Sequence, residues 1–257
     1  MGEAIPVHIL GHRGGAGGMY PENSIQAFQH GLQAGADGIE LDVRLSRDNR
    51  VMVVHDPVID RVTRGTGWVE QLGAAELRRY ALVDSAGTPH GDARIPVLEE
   101  LFELVGSVPV NIDLKTAEIG LARAVADIVR RYDAVDRTTV ASFIPSALQL
   151  FRSIAPEVAT SADPIELRAL VKSRFLREPV DIPATRVQMP LRYRLFPLAT
   201  KGFVKFLHGR NMAVDIWTVN SPQIALHLAR IGVDGIFTDQ VAPMRDALIS
   251  GGTYGHE

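Results

Sequence analysis

The segment of residues 36–44 constrains the fold most, because apolar residues alternate along it with two acids. Successive side chains of a β-strand point to opposite faces, so Glu40 and Asp42 share one face, with their Cα atoms roughly 7 Å apart. Neighbouring carboxylates repel each other and resist burial unless a cation accompanies them. A divalent metal with oxygen ligands meets that requirement. A strand at a polar edge, with both acids in solvent, is the alternative at this point.

The rest of the chain repeats a strand-then-helix order, which indicates a parallel sheet rather than an antiparallel one. Eight strands and their helices fit 257 residues as one closed α/β domain. We therefore predict a single (β/α)8 TIM barrel over residues 1–257, with its chemistry at the carboxyl ends of the strands. The predicted strands are residues 7–10, 36–44, 108–115, 138–143, 158–161, 186–189, 213–220 and 233–239.

Residues 57–95 interrupt this alternation with turn-forming sequence and one short predicted helix. We predict a small inserted subdomain after the second strand. A long connection within a compact domain is usually functional, so we expect the insertion to cover part of the site as a lid. A surface excursion without a role is the alternative.

The composition excludes several classes of site. The chain has no Cys, so disulfides, zinc–thiolate centres and thiol nucleophiles are ruled out. A formal net charge of −3 gives no general attraction to nucleic acid, and no nucleic-acid partner is expected. Residues 1–6 lack the basic and apolar regions of a signal peptide, and no apolar run is long enough for a membrane span. We therefore expect a cytoplasmic protein.

Two histidines follow apolar runs. The glycine-rich residues 11–18 come directly after the first strand and contain His12 and Arg13. An imidazole there is suited to proton transfer near neutral pH, and a guanidinium is suited to gripping a phosphate. A capping histidine beside a surface arginine is the alternative. His55 ends another apolar run, and two histidines that flank a carboxylate pair are suited to paired acid and base roles.

Four motifs follow one another in the first part of the chain: His12-Arg13-Gly14, Pro21-Glu22-Asn23-Ser24, Glu40-Leu41-Asp42 and His55-Asp56. Together they resemble the signature of the glycerophosphodiester phosphodiesterase family. The resemblance implies a (β/α)8 barrel with a small insertion. It also implies an enzyme that hydrolyses glycerophosphodiesters to glycerol 3-phosphate and an alcohol with one divalent metal ion. The expected partner is thus a small-molecule diester.

The resemblance also implies roles for individual residues. His12 and His55 become the catalytic acid and base, and either one is a candidate for the initial base. Glu40 and Asp42 become metal ligands, with Asp113 as the third. Related sequences usually carry Glu where this chain has Asp113, so the shorter side chain either binds the metal through a water or shifts its position. The nucleophile is either the neighbouring hydroxyl of glycerol or a water molecule.

Other residues are expected to bind the substrate or to support the site. Arg13 and Lys115 are expected to contact the phosphate, although Lys115 shares a strand face with Asp113 and is also able to pair with it. Glu22 and Asn23 are expected to orient their neighbours. Ligation by carboxylates alone suits Mg²⁺ or Ca²⁺, and Mn²⁺ is also compatible.

Aromatic and basic residues leave further alternatives open. Trp217 and Phe143 end the seventh and fourth predicted strands, where they either line the substrate pocket or pack between barrel and helix. Residues 186–210 carry six Lys or Arg and no acid, which we interpret as a solvated helix with core phenylalanines, so no membrane contact is expected. The number of copies in an assembly is left open. Two other functions remain: a lipid enzyme of the lysophospholipase D type, and a catalytically silent barrel that binds phosphorylated ligands.

Overall fold

A ring of parallel strands forms the centre of the protein, whose computed structural model describes residues 7–251. Residues 1–6, on which the signal-peptide prediction rests, lie outside the described residues. The strands are β1 His8–Gly11, β2 Gly38–Leu45, β3 Val51–Val53, β4 Val110–Leu114, β5 Thr138–Ala141, β6 Ala159–Thr160, β7 Arg186–Pro190, β8 Arg192–Tyr193, β9 Phe196–Pro197, β10 Ala213–Trp217 and β11 Gly235–Thr238. The helices are α1 Ile25–Gln33, α2 Ala74–Leu77, α3 Leu98–Val105, α4 Ile119–Arg131, α5 Pro145–Ile154, α6 Pro164–Leu176, α7 Lys201–His208, α8 Pro222–Ile231 and α9 Val241–Gly251.

The strand order shows how the ring closes. Neighbouring strands pair in parallel in the order β6-β5-β4-β2-β1-β11-β10-β7. A parallel bridge between Ser161 and Arg186 joins the two ends of this order, next to β6 and β7. The predicted TIM barrel is therefore confirmed as a nearly closed ring of eight parallel strands. The seventh barrel strand, β10, ends at Trp217 and is shorter than predicted.

Strand β2 has the alternation that its sequence predicts. Its apolar side chains are fully buried and pack outward against Phe28 of α1 and Leu101 of α3. Glu40 and Asp42 point the other way, into the barrel, and are 6% and 1% exposed. The fold thus holds two carboxylates inside a ring of strands. The outward-facing residues are Ile39, Leu41 and Val43.

Strand β3 pairs antiparallel with β2 and is not part of the ring. Val53 lies opposite Val43, and the Val54 amide donates to the carbonyl of Asp42 over 2.9 Å. His55 therefore reaches the mouth of the barrel on the returning arm of a hairpin rather than at the carboxyl end of a barrel strand. The hairpin arises because residues 46–50 form a tight turn, in which Ser46 and Arg50 exchange hydrogen bonds.

Residues 57–95 have an apolar cluster of their own. It includes Ile59, Leu77 and Ile95, and it packs against Met52 of β3. The segment contains the short helix α2 and is otherwise mostly turns and isolated bridges. Its role as a lid stays a prediction.

The basic residues 186–210 differ from the expected solvated helix. They form β7, a small hairpin of β8 and β9, and then helix α7. Phe203 is buried in the core, as expected, but Phe196 on the hairpin is 73% exposed. None of the helices in the described part of the chain is long and apolar enough to cross a membrane.

Candidate active site

Three predicted metal ligands lie together inside the barrel. Strand β2 pairs with β4 in a register that sets Asp42 beside Asp113 and Glu40 beside Asn111. All four side chains point into the ring, and the three acids are nearly fully buried. Adjacent strands thus bring the three carboxylates to one face of one sheet. Asn111 accepts a hydrogen bond from Gln188 of β7 over 2.6 Å, across the interior of the ring.

Two cations of the chain lie among these acids. The Nζ atom of Lys115 is 2.7 Å from Oδ1 of Asp42 and 2.7 Å from Oδ2 of Asp113. The Nε atom of Arg13 is 3.1 Å from Oδ2 of Asp42. The backbone amide of Arg13 donates to Oε2 of Glu40 over 2.9 Å. Of the two roles open to Lys115, pairing with its neighbouring acids is therefore the one observed.

The charges in this cluster are uneven. Burial raises the pKa of Glu40 to about 7, and the negative charge of Asp42 adds to this shift. Burial likewise raises the pKa of Asp113 to about 6, although Lys115 favours its charged form. Burial acts in the same direction on Asp42, but the charges of Lys115 and Arg13 outweigh it and hold the pKa of Asp42 below its usual range. Three carboxylates face the two cations Lys115 and Arg13, and the raised pKa values of Glu40 and Asp113 indicate that their negative charges are incompletely compensated.

Two of these acids, Asp113 and Glu40, have carboxylate oxygens that are free to bind a hard divalent cation. Oδ1 of Asp113 is buried and has no hydrogen-bond partner among the described residues. Glu40 is bonded through Oε2 alone within residues 7–251. Both oxygens of Asp42, in contrast, already contact Lys115, Arg13 or Asn23. In the part of the chain that the structure describes, no group of three His, Asp or Glu side chains forms a ready-made metal cage.

Asn23 and Glu22 lie beside this cluster. Asn23 has a φ of 56°, a left-handed conformation that Asn tolerates, and its Nδ2 atom donates to Oδ2 of Asp42 over 2.9 Å. Glu22 accepts from Arg13 over 2.9 Å and from Arg61 of the insertion over 2.6 Å and 2.8 Å. Ser24, not Asn23, caps helix α1 by accepting from the amide of Ala27. Asn23 is thus free to orient a buried acid.

His12 lies just after β1 and contacts two acids. Its Nδ1 atom is 2.7 Å from Oδ1 of Asp239, and its Nε2 atom is 3.9 Å from Oε2 of Glu40. Burial opposes a charged imidazole, but the hydrogen bond to Asp239 and the charge of Glu40 outweigh it and raise the pKa of His12. Asn220 in turn donates to Oδ2 of Asp239 over 2.7 Å. His12 is therefore the histidine that more readily holds a proton.

His55 has the opposite tendency. Its Nδ1 atom is 2.6 Å from Oδ1 of Asp56, which Arg61 also binds. Burial lowers the pKa of His55, and the positive charges of Lys115 and Arg13 add to the effect of burial, so together they outweigh Asp42 and Asp56. The pKa values of the two histidines are thus shifted in opposite directions.

A cavity of about 700 Å³ opens above these groups and contains all of the predicted metal and catalytic residues in its wall. Trp217 and Phe143 also line it, and their rings meet edge to face with centroids 5.4 Å apart. The Nζ atom of Lys115 lies 5.9 Å from the centroid of the Phe143 ring. Of the two roles considered for these aromatic residues, the structure places both in the pocket wall. The lining residues come from outside the insertion of residues 57–95.

Comparison with known proteins identifies this arrangement. The model of the glycerophosphoryl diester phosphodiesterase family matches residues 12–242. The chain belongs to this family. A glycerophosphodiester phosphodiesterase of Bacillus altitudinis is 36% identical over 241 residues, which cover 90% of this chain and 94% of the relative. The prediction of a glycerophosphodiester phosphodiesterase is therefore confirmed.

Solved structures agree with the fold of the family. A putative glycerophosphoryl diester phosphodiesterase from Silicibacter pomeroyi superposes with a TM-score of 0.80 at 25% identity, and the match covers 97% of both chains. An Oleispira antarctica phosphodiesterase, in complex with the product sn-glycerol-3-phosphate, superposes with a TM-score of 0.78 at 23% identity. That match covers 94% of this chain and 96% of the other. The barrel is thus the one that this phosphodiesterase family uses.

Sequence reasoning missed most of the side chains that lie behind the two histidines of this phosphodiesterase. Asp239 and Asn220 were not predicted as site residues, and Asp56 was noted only as part of a motif. A signal was present, because Asp239 directly follows the last barrel strand and Asn220 follows the seventh by a few residues. Both positions lie at the carboxyl edge of the barrel, where polar residues meet.

Proposed function

We propose that this family member hydrolyses glycerophosphodiesters to glycerol 3-phosphate and an alcohol with the help of one divalent metal ion and two histidines. The observation that carries the proposal is the pair His12 and His55, which line one cavity with buried acids and cations and whose pKa values are shifted in opposite directions. An acid and a base poised in this way are what cleavage of a P–O bond requires. The name of the Oleispira antarctica complex supports glycerol 3-phosphate as the product.

Glu40, Asp42 and Asp113 are the residues that we propose to hold the metal, with Glu40 and Asp113 offering the free oxygens. A divalent ion bound there supplies positive charge that neutralises the phosphate oxygens. Mg²⁺, Ca²⁺ and Mn²⁺ all suit oxygen ligands. The raised pKa values of Glu40 and Asp113 support this assignment, because a divalent cation between two buried carboxylates favours their charged forms.

The chain's own cations position the diester. Arg13 and Lys115 lie among the acids at the base of the cavity and add fixed positive charge near the phosphate. Glu22 holds the Arg13 side chain, and the Arg13 backbone amide holds Glu40. Substrate binding is therefore coupled to the same side chains that arrange the metal ligands.

The preferred protonation states assign the proton transfers. His55, which favours the neutral form, takes the proton from the attacking hydroxyl, and Asp56 orients its ring. His12, which favours the charged form, gives a proton to the oxygen of the leaving alcohol as the P–O bond breaks, and Asp239 orients its ring. The attacking hydroxyl belongs either to glycerol, which gives a cyclic phosphate that water opens, or to water itself. In both cases the net reaction adds OH to phosphorus and H to the alcohol.

Release of glycerol 3-phosphate from glycerophosphocholine, followed with a coupled dehydrogenase, tests the proposal. We expect turnover with Mg²⁺, Ca²⁺ or Mn²⁺, its loss on addition of excess chelator, and recovery when the ion is restored. A silent phosphate-binding barrel would release no product with any of the ions. Turnover that persists through dialysis against chelator would instead contradict the metal assignment.

A further inference from the structure

Arg61 belongs to the insertion of residues 57–95 but binds two acids that lie outside it. Its Nη1 and Nη2 atoms donate to the two carboxylate oxygens of Glu22 over 2.8 Å and 2.6 Å. Its Nε atom donates to Oδ2 of Asp56. Glu22 precedes helix α1, whereas Asp56 follows strand β3. One planar guanidinium therefore joins two separate segments of the chain at the edge of the site.

Each of the two acids in turn contacts a residue with a proposed role in the reaction. Glu22 accepts from Nη1 of Arg13 over 2.9 Å, and Arg13 is the proposed contact of the phosphate. Oδ1 of Asp56 is 2.6 Å from Nδ1 of His55, which is the proposed base. Arg61 therefore links the side chain that binds the phosphate with the side chain that takes the proton.

The backbone on both sides of Arg61 is fixed by the apolar cluster of the insertion. Ile59 and Val62 are 0% and 5% exposed, and both belong to the cluster that packs against Met52 of β3. The carbonyl of Val62 accepts from the amide of Val83 over 2.9 Å. The side chain of Arg61 is itself half-exposed, so it extends from a well-packed base to its two acids.

The guanidinium also favours the charged forms of both acids. Burial opposes the charged form of Glu22, but the hydrogen bonds from Arg61 and the charge of Arg13 outweigh it and hold the pKa of Glu22 below its usual range. Burial acts in the same way on Asp56, where the hydrogen bonds from Arg61 and His55 lower the pKa. Both acids therefore stay charged and able to orient their partners.

We propose that Arg61 is a positioning residue that holds His55 and Arg13 at a fixed distance from each other by binding Asp56 and Glu22 together. This rests on the proposed function, because both residues must act on one diester. An arginine suits the role, since its planar group binds two carboxylates at once, whereas the ammonium of a lysine is a point charge on a flexible chain. The insertion thus supports the site from behind, since the residues that line the cavity come from outside it.

Steady-state kinetics on glycerophosphocholine, with a saturating concentration of the ion that supports turnover, test the proposal. Arg61→Ala releases both acids, so kcat should fall and KM should rise, with kcat/KM lower by roughly 10–100-fold. Arg61→Lys keeps the charge but not the planar group, and it should recover only a small part of that loss. Arg64→Ala is the matched control and should keep native kcat/KM, because Arg64 is an exposed arginine of the same insertion without an ion pair among the described residues.

Added guanidinium separates positioning from a role in folding. The half-exposed side chain of Arg61 leaves an opening to solvent in Arg61→Ala, which a small planar cation is able to enter. Guanidinium chloride, well below the concentrations that unfold proteins, should raise kcat/KM of this variant severalfold, whereas sodium chloride at the same ionic strength should not. The native protein and Arg64→Ala should gain nothing. The melting temperature of Arg61→Ala should lie within about 4 °C of native, since half-exposed ion pairs contribute little to stability.

Each outcome supports or overturns a definite point. If Arg61→Ala equals Arg64→Ala in kcat/KM, Arg61 does not position the site, whereas native turnover still supports the proposed function. Full activity of Arg61→Lys would show that charge alone suffices and would overturn the bridging role. If Arg61→Ala loses activity and melting temperature together, and guanidinium restores neither, Arg61 only keeps the insertion folded. If the native protein releases no glycerol 3-phosphate, the proposed function fails first and this inference fails with it.

Discussion

The barrel encloses two groups of buried charges that differ in one respect. Toward the amino-terminal end of the strands, Arg186 and Asp215 form a two-pronged ion pair with distances of 2.6 Å and 2.7 Å, and Asp215 is fully buried. Toward the carboxyl end, Asp42 and Asp113 share Lys115. The first group is balanced, with each oxygen of Asp215 facing a guanidinium nitrogen. The second has an excess acid and an oxygen without a partner among the described residues.

The two groups show how buried charges that hold the fold together differ from buried charges that bind a ligand. A fully paired buried ion pair has nothing left to bind, so its role is to hold strands β7 and β10 together. A buried cluster whose charges are incompletely compensated is costly unless a ligand completes it. The carboxyl-end cluster also opens into the cavity, and the two histidines lie at its rim. Imbalance at an open site is therefore the feature that distinguishes a binding centre from a scaffold.

The largest effect is expected when one of the two histidines beside the carboxyl-end cluster is removed. His12→Ala or His55→Ala should lower kcat on glycerophosphocholine by roughly 10²–10⁴-fold, because a general acid or base is lost. The melting temperature should change little, since neither ring is part of the apolar core. His227→Ala, an exposed histidine on helix α8, is the control and should keep full activity. Near-normal turnover in either cavity variant would overturn the acid–base assignment.

The same Asp→Asn substitution should lower stability much more in the paired group than in the carboxyl-end cluster. Asp215→Asn leaves Arg186 without a carboxylate inside the barrel, so we expect the free energy of unfolding to fall by about 2–3 kcal/mol. Asp113→Asn removes a carboxylate whose charged form burial already disfavours, and without added metal it should change the free energy of unfolding by less than about 1 kcal/mol. Urea unfolding midpoints measure both effects. Equal losses in the two variants would mean that the groups do not differ as argued.

Metal addition should stabilise the protein only through the carboxyl-end cluster of Glu40, Asp42 and Asp113. An ion present at ten times its dissociation constant raises the free energy of unfolding by about 1.4 kcal/mol, which corresponds to a melting temperature higher by about 3–5 °C. We expect this increase in the native protein and in Asp215→Asn, but not in Glu40→Gln or Asp113→Asn. A thermal shift that survives both carboxylate changes would place the ion elsewhere. The measurement needs no substrate and is therefore independent of turnover.

The sequence predicted the elements whose signals are local. The alternation around Glu40 and Asp42 specified a strand with an inward acidic face, because side-chain direction in a strand depends only on neighbouring residues. The partners of His12 were harder to predict. Asp239 lies 227 positions away in sequence and meets His12 only because the barrel closes between β1 and β11. Such a contact is a property of the closed ring rather than of either segment.

The β8–β9 hairpin was missed for a related reason. Each of its strands has two residues, and no period-two pattern is visible in so short a run. In the sequence, Phe196 precedes Phe203 and Phe206, so the segment resembled part of a helix with core phenylalanines. Apolar residues usually indicate a core, and only the fold shows that Phe196 lines a cavity.

The smallest expected effect concerns Asp239 and Asp56, the acids that bind the two histidines, and it is measured as a shift in the pH profile of kcat/KM. Activity requires His55 neutral and His12 protonated, so it should fall at low pH as His55 gains a proton and at high pH as His12 loses one. Asp239→Asn removes the charge that raises the pKa of His12, so the alkaline limb of the kcat/KM profile should move to lower pH. The acid limb should stay in place, because Asp56 is intact.

Asp56→Asn is the mirror experiment. It removes an interaction that favours the charged form of His55, so the acid limb should move to lower pH while the alkaline limb stays. Profiles are compared at one saturating metal concentration, so that the ion acts equally on native protein and variants. If Asp239→Asn moves the acid limb instead, the two histidines have exchanged roles. If neither limb moves in either variant, the acids position the rings without setting their charge.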